Sequence, residues 1–271
     1  MRHNYHDSIK FPPPVILTVA GSDCSGGAGI QADIKAISAL GAYAASVITA
    51  VTAQNTKGVQ GIHVVSIEMI RSQLTSVFED LEPSVVKTGM VFSPEVVDVI
   101  VEALRRYKPA CVVCDPVMVA TSGDRLITEE TIQCIQDTLF PLCSLITPNL
   151  KEASLLAGRE LLGVEEVEQA ALDLNHRFGL AVLIKSVRLS DTELCDVFCS
   201  GDETVRLIGP RIATHNLHGS GCTLSSAIAA LLGQGCGMLE AVEKAKRYVS
   251  ESISLGKDMH IGHGNGPLWH F

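Results

Sequence analysis

The chain has 271 residues, 46% of them apolar and 19% charged, with a formal net charge of −9 and a pI near 5.4. That length and a mean hydropathy of +0.27 suit one large buried core and exclude a disordered chain. The acidic balance argues against nucleic acid or an anionic membrane as a partner, since either requires a basic footprint.

Residues 1–14, MRHNYHDSIKFPPP, contain no apolar core and no small-residue cleavage pattern. They are expected to be a polar leader ended by prolines, with the cytoplasm as location, followed by a single domain over 15–271. The first buried run, 15–20, leads into a glycine-rich turn. Ile30, Ile34 and Ile37 then recur at helical spacing, and Gly41 stands where a helix end favours a residue tolerant of positive φ. The 21 uncharged residues at 36–56 could reach across a bilayer by length. Their serines, threonines, Gln54 and Asn55 read instead as a helix end followed by a buried strand. Further apolar runs at 45–52, 85–90, 111–115, 144–147 and 181–185 alternate with helical patterns, which predicts a mostly parallel sheet joined by crossover helices. Runs 195–199 and 205–208 flank Ser200-Gly201-Asp202-Glu203 and predict a hairpin, hence an antiparallel portion at one sheet edge. The fold class is α/β, a three-layer sandwich with helices on both faces of the sheet.

Nine cysteines spread over the whole length predict reduced thiols. Cys111 and Cys114 lie three apart in a strand and so point to opposite faces. Cys195 and Cys199 share a face but sit about 13 Å apart along it, too far for a bridge.

Ligands of open α/β sheets bind outside the carboxyl ends of the strands. The segments standing there are Gly21-Ser22-Asp23, Thr52-Ala53-Gln54-Asn55, Thr88-Gly89-Met90, Asp115-Pro116-Val117-Met118 and Thr147-Pro148-Asn149, with His218-Gly219-Ser220-Gly221-Cys222 later in the chain. In the last, glycines precede an apolar helix, so free backbone N–H groups can converge on an anion. There is no G-x-x-x-x-G-K-[ST], and Leu224 replaces the third glycine of a dinucleotide fingerprint. Cys222, at the same helix start, is expected to have a lowered pKa and to act as base or nucleophile, unless it is core packing. Asp23 either contacts substrate or shapes the turn, and His218 either binds phosphate or caps its loop. His260 and His263 could suggest a metal site, but they stand in the tail without a matching set of cysteines or carboxylates.

From Val15 onward, the segments AGSDCSGGAGIQADIKAISALGAYAASVITAVTAQNT, VVKTGM, DPVMVATSGDRLI, LITPNLKEA and HGSGCTLSSAIAA resemble the ordered motifs of hydroxymethylpyrimidine/phosphomethylpyrimidine kinases, and the tail IGHGNGPLWHF is similar to that family's ending. The resemblance implies a ribokinase-like fold, ATP as co-substrate, Mg2+, a small pyrimidine substrate, and a homo-oligomer with a dimer favoured. By motif position it implies a pyrimidine pocket of Gly21, Ala28, Gln54, Met90 and Val117, with Gln54 on the aminopyrimidine edge; Asp23 is added to the substrate side because the glycine-rich run follows it. Gly219, Ser220, Gly221 and Cys222 would form the anion hole, Cys222 being the base. Asn149 and Lys185 would face the nucleotide, and Asp115 and Glu152 would hold the metal, largely through water. One departure stands out: where the family reads Lys-Gly-Gly-His, this chain has Lys185-Ser186-Val187-Arg188, and side chains at the two glycine positions should make a positive φ costly. The alternatives kept open are a pyridoxal or pyridoxine kinase, a catalytically weak pyrimidine-binding regulatory protein, and a cysteine hydrolase.

Overall fold

The computed structural model describes residues 11–118 and 127–271; the end of the DPVMVATSGDRLI segment and most of the N-terminal leader lie outside them. The first unit follows the expected order of strand, glycine-rich turn and helix: β1 (Val15–Asp23), α1 (Gly29–Ala39) and β2 (Tyr43–Asn55). Helix α1 buries Ile30, Ala36 and Ile37 at helical spacing, and Gly41 takes φ +80 just beyond its end. Ile34 is only half-buried, whereas Asp33 is fully buried on the same helix.

Strand β2 runs straight on into an antiparallel partner, β3 (Gly58–Val64), which the sequence reading did not anticipate. None of the residues of β3 is buried, so it shows no apolar run to betray a strand. The remaining elements alternate: α2 (Ile67–Leu81), β4 (Val85–Thr88), α3 (Pro94–Tyr107), β5 (Cys111–Cys114), α4 (Glu129–Cys134), β6 (Leu145–Ile146), α5 (Leu150–Ala157), α6 (Val164–Phe178) and β7 (Ala181–Arg188). The hairpin expected around Ser200 is β8 (Glu193–Ser200) with β9 (Glu203–Pro210), and the chain closes with α7 (Ser220–Gly233) and α8 (Met238–Gly256).

These strands form one sheet in the order β3-β2-β1-β4-β5-β6-β7-β8-β9. Its centre, from β2 to β7, is parallel, and both edges are antiparallel rather than one. One face is covered by α2 to α6 and the other by α1, α7 and α8, each through its own apolar cluster. Cys111 and Cys114 belong to opposite clusters, Cys195 and Cys199 to the same one, and all nine cysteines are free thiols. Residues 36–56 are the end of α1 and β2, and among the described residues no helix is long and apolar enough to cross a membrane.

The departure after Lys185 has a specific form. The β7–β8 ladder shifts register between Ile184 and Val187, and Ser186 takes φ +67 within that bulge. Its N–H donates to Asp196 Oδ1 at 2.7 Å. Val187 has no positive φ and is buried in the core, so only the first of the two glycine-position substitutions carries strain. A left-handed conformation costs a residue with a Cβ about 1–2 kcal/mol, partly offset by the greater unfolded freedom of glycine. Ser186→Gly is therefore expected to stabilise the protein by about 1 kcal/mol, seen as a higher urea midpoint at unchanged slope. A lower midpoint would show that the serine side chain contributes more than the strain removes.

Candidate active site

One cavity of about 500 Å³ opens at the carboxyl ends of the parallel strands, and all fourteen site residues expected from the sequence line it. They come from β1, β2 and β7, from the starts of α5 and α7, and from the turns after β1, β4 and β5.

The wall after β1 is built around the Asp23 carboxylate. It accepts N–H bonds from Ser25 (2.8 Å), Gly27 (3.2 Å) and Ala28 (2.9 Å), the Ser25 hydroxyl, and Nε2–H of His218 (2.8 Å). Burial by itself would raise its pKa, but these donors outweigh burial and hold the carboxyl well below the usual range. Asp23 thus lines the cavity while its oxygens are taken up in shaping the turn, and His218 is oriented by Asp23. Gln54 stands beside them, Oε1 3.2 Å from Thr52 Oγ1 and Nε2 3.3 Å from His218 Nε2. Opposite, Gly21 leaves room for Met90: a Cβ on Gly21 would lie 2.9 Å from its terminal methyl. Ala28 and Val117 complete an apolar slot with polar groups at one end, a form that suits a small planar ring.

The second wall is the start of α7. Gly219 takes φ +81, and a Cβ there would fall 1.9 Å from the Gly27 carbonyl oxygen, so only glycine lets the two loops meet. The Ser220 N–H bonds back to Leu217. The N–H groups of Gly221 and Cys222, in the first turn, have no acceptor within the helix. Both residues line the cavity, so these N–H groups are open to an acceptor there.

Cys222 corrects one expectation. The helix start should favour its thiolate, yet burial pushes the thiol up to about 11, against which Lys87 is the main opposing influence; Asp33 and Asp115 push the same way as burial. Enclosure and two carboxylates override the helix end, so the resting group is a thiol.

On the third side, Lys185 Nζ donates to Asp115 Oδ1 at 2.6 Å, and Thr147 donates to the same oxygen. Burial disfavours the Lys185 charge, but Asp115 and Glu152 hold it protonated. Asn149 caps α5 by accepting from Lys151 and Glu152, and Glu152 completes the capping box by accepting the Asn149 N–H at 2.9 Å. Burial raises the Glu152 carboxyl to about 7, with neighbouring Asp115 adding to the rise. Two buried carboxylates beside a single lysine fit a divalent cation held mainly by phosphate and water oxygens, and no group of three metal-ligating side chains exists among the described residues. His260 and His263 are exposed in the tail.

The sequence reading missed the far half of the cavity, formed by Leu194 and Asp196 on β8, residues 209–214, and Lys246, Val249 and Ile253 on α8. No glycine run marks them, and the strand end among them, Gly209-Pro210, closes an antiparallel edge strand. The tail's role was also hidden. Asn265 donates to the Thr56 carbonyl, Gly266 accepts from the His218 N–H, and a Cβ on Gly264 would lie 2.2 Å from Thr56 O. The tail therefore ties the Gln54 strand to the His218 loop.

A family model described as phosphomethylpyrimidine kinase matches residues 23–269. The chain belongs to this family. It is 48% identical over 258 residues to the hydroxymethylpyrimidine/phosphomethylpyrimidine kinase of Rhizobium meliloti (strain 1021), covering 95% of this chain and 97% of that protein. It is 51% identical over 265 residues to a probable thiamine biosynthetic bifunctional enzyme, chloroplastic, of Oryza sativa subsp. japonica, covering 96% of this chain but 48% of the other; the chain spans about half that relative's length. Among solved structures, the pyridoxal kinase from Staphylococcus aureus in complex with AMP-PCP and pyridoxal matches with a TM-score of 0.85 at 29% identity, covering 95% of this chain and 93% of that one. The ribokinase-like fold is thereby shared with vitamin kinases.

Because thiolates and not thiols are alkylated, the raised thiol has a direct readout. In ligand-free protein the iodoacetamide rate at Cys222, followed by peptide mass spectrometry, is expected to climb about tenfold per pH unit and level off near 11. A plateau below pH 8 would contradict the enclosure described above.

Proposed function

We propose that the chain transfers the γ-phosphoryl group of ATP to the hydroxymethyl oxygen of 4-amino-5-hydroxymethyl-2-methylpyrimidine and then to the resulting monophosphate, within thiamine biosynthesis. The observation that carries this reading is the meeting of the Gly27 and Gly219 loops, which sets a ring-sized slot against an anion-binding helix start. The names of the Rhizobium and rice relatives agree with it.

Gln54 meets the aminopyrimidine edge while Met90 and Val117 enclose the ring. The backbone N–H groups of Gly221 and Cys222 receive the transferring phosphoryl oxygens, and Lys185 offsets charge on the phosphate side. Cys222 Sγ, once deprotonated, takes the hydroxyl proton as the new O–P bond forms and the bond to the β-phosphate bridging oxygen breaks. Asp115 and Glu152 would hold Mg2+, which neutralises phosphate charge when bound. The far half of the cavity, along β8, β9 and α8, receives the nucleotide; the Asp196 carboxylate there links the strained Ser186 to Lys246 at 2.5 Å. Cytoplasmic location and a homodimer complete the reading.

Pyridoxine is the competing substrate, given the pyridoxal kinase likeness. With Mg-ATP, the purified protein is expected to phosphorylate the hydroxymethylpyrimidine and its monophosphate in preference to pyridoxine, as read by mass spectrometry. Phosphorylation of pyridoxine alone would replace the assignment. Cys222→Ala is expected to lower kcat by about 10² to 10⁴ at little-changed substrate affinity, since a general base acts mainly in the transition state. Normal turnover with lowered stability would make Cys222 a packing residue. Gln54→Leu should weaken pyrimidine binding by about 1–3 kcal/mol in calorimetry, because ligand polar groups lose their partner.

A further inference from the structure

The most deeply placed charge in the described fold lies outside the cavity. Lys87 on β4 is fully buried, its ammonium 3.0 and 2.8 Å from the two carboxylate oxygens of Asp33, which is fully buried on α1. Thr18 of β1 donates to Asp33 Oδ2 at 2.6 Å, and Ser226 of α7 donates to Oδ1 at 2.7 Å. Two elements thus orient the α1 carboxylate for one lysine. A buried ion pair is a poor source of stability, since apolar side chains of similar volume often serve as well or better.

Its position suggests another reason for it. Residues four apart on a helix share a face. Ser226 lies four after Cys222 on α7, and Asp33 lies four after Gly29, whose N–H is directed at the Cys222 sulfur. The pair therefore sits one helical turn beneath the thiol and the start of α7. Gly89 makes space for it, because a Cβ there would stand 2.8 Å from Lys87 Nζ. The charged groups that act on the thiol here are Lys87, Asp33 and Asp115, with Lys185 beyond Asp115. Among them Lys87 is the chief influence opposing the rise that burial imposes.

We propose that Lys87 is a positioning residue for phosphoryl transfer, a buried cation anchored by Asp33 beneath Cys222 and the α7 N-terminus, where it offsets developing negative charge without touching substrate. Asp33 keeps the ammonium charged and prevents it from swinging up to neutralise the thiolate by direct contact. Enclosure shields the charge from salt, so its influence persists across a helical turn. The slot binds the ring through other residues, so ground-state affinity does not depend on this lysine.

This inference rests on the reading that phosphate transfer occurs beside Cys222, so its test includes a readout independent of turnover. Lys87→Met alone leaves Asp33 buried without a counter-charge and is expected to unfold. Lys87→Met combined with Asp33→Asn removes both charges and keeps an amide for Thr18 and Ser226. In that folded double variant, kcat with hydroxymethylpyrimidine and Mg-ATP should fall about 10- to 100-fold while both KM values stay within about threefold. Iodoacetamide labelling of Cys222 at pH 8 should slow, because the pull of Lys87 toward the thiolate exceeds the opposing push of Asp33, with the exposed Cys24 unchanged as internal control. Wild-type labelling of Cys222 in the folded double variant overturns the proposal, whatever happens to kcat. If the double variant does not fold, Gly89→Ala decides, since it keeps both charges and displaces the ammonium by contact. A change in Cys222 labelling beyond about threefold supports the proposal and an unchanged rate overturns it. Slowed labelling in the variant together with a wild-type protein that phosphorylates neither pyrimidine would sink the functional reading and leave the electrostatic one standing.

Discussion

Everything in the site depends on two loops touching through backbone. Gly27, in the turn after β1, and Gly219, before α7, approach so closely that a side-chain carbon on Gly219 would overlap a carbonyl oxygen. The loops are separated by most of the chain, and the parallel sheet is what brings them to one edge. Asp23 then fixes the contact by bonding both its own loop and His218 from the other. Without that approach the wall after β1 and the start of α7 would not share one cavity.

Charge is arranged around this contact in two tiers. At the cavity surface, Lys185 and Asp115 pair, with Glu152 held nearby in a capping box. Behind it, Lys87 and Asp33 pair in complete burial. The thiol of Cys222 lies between a lysine that favours its ionisation and carboxylates that oppose it, and enclosure leaves it protonated at rest. A group poised in this way changes state when charge in the cavity changes, which suits a reaction whose substrates bring charge with them.

The hinge between tolerance and strain appears at Ser186. A bulge in β7 turns the chain beside Lys185, and the bulge requires a positive φ whichever residue occupies it. The N–H bond to Asp196, which also binds Lys246, holds the serine there. Strain is thus kept at one residue, while Val187 serves the core.

Read from the sequence alone, the alternation of β-branched runs and amphipathic segments determines an α/β fold, because hydrophobic periodicity is local. Glycines and polar residues at strand ends also mark segments that line the cavity, since parallel strands deliver their carboxyl ends to one place. Other features are decided by tertiary structure. Edge strand β3 carries no buried run, so only its pairing with β2 defines it. The far half of the cavity is assembled from β8, β9 and α8, which only the packing of these elements brings to the site. Lys87 reads in sequence as an ordinary charged residue within VVKTGM, and Asp33 as a polar position on a helix. Their complete burial and mutual pairing exist only once β4, α1 and α7 are packed, because the energy of a charge is set by what surrounds it and not by its neighbours along the chain.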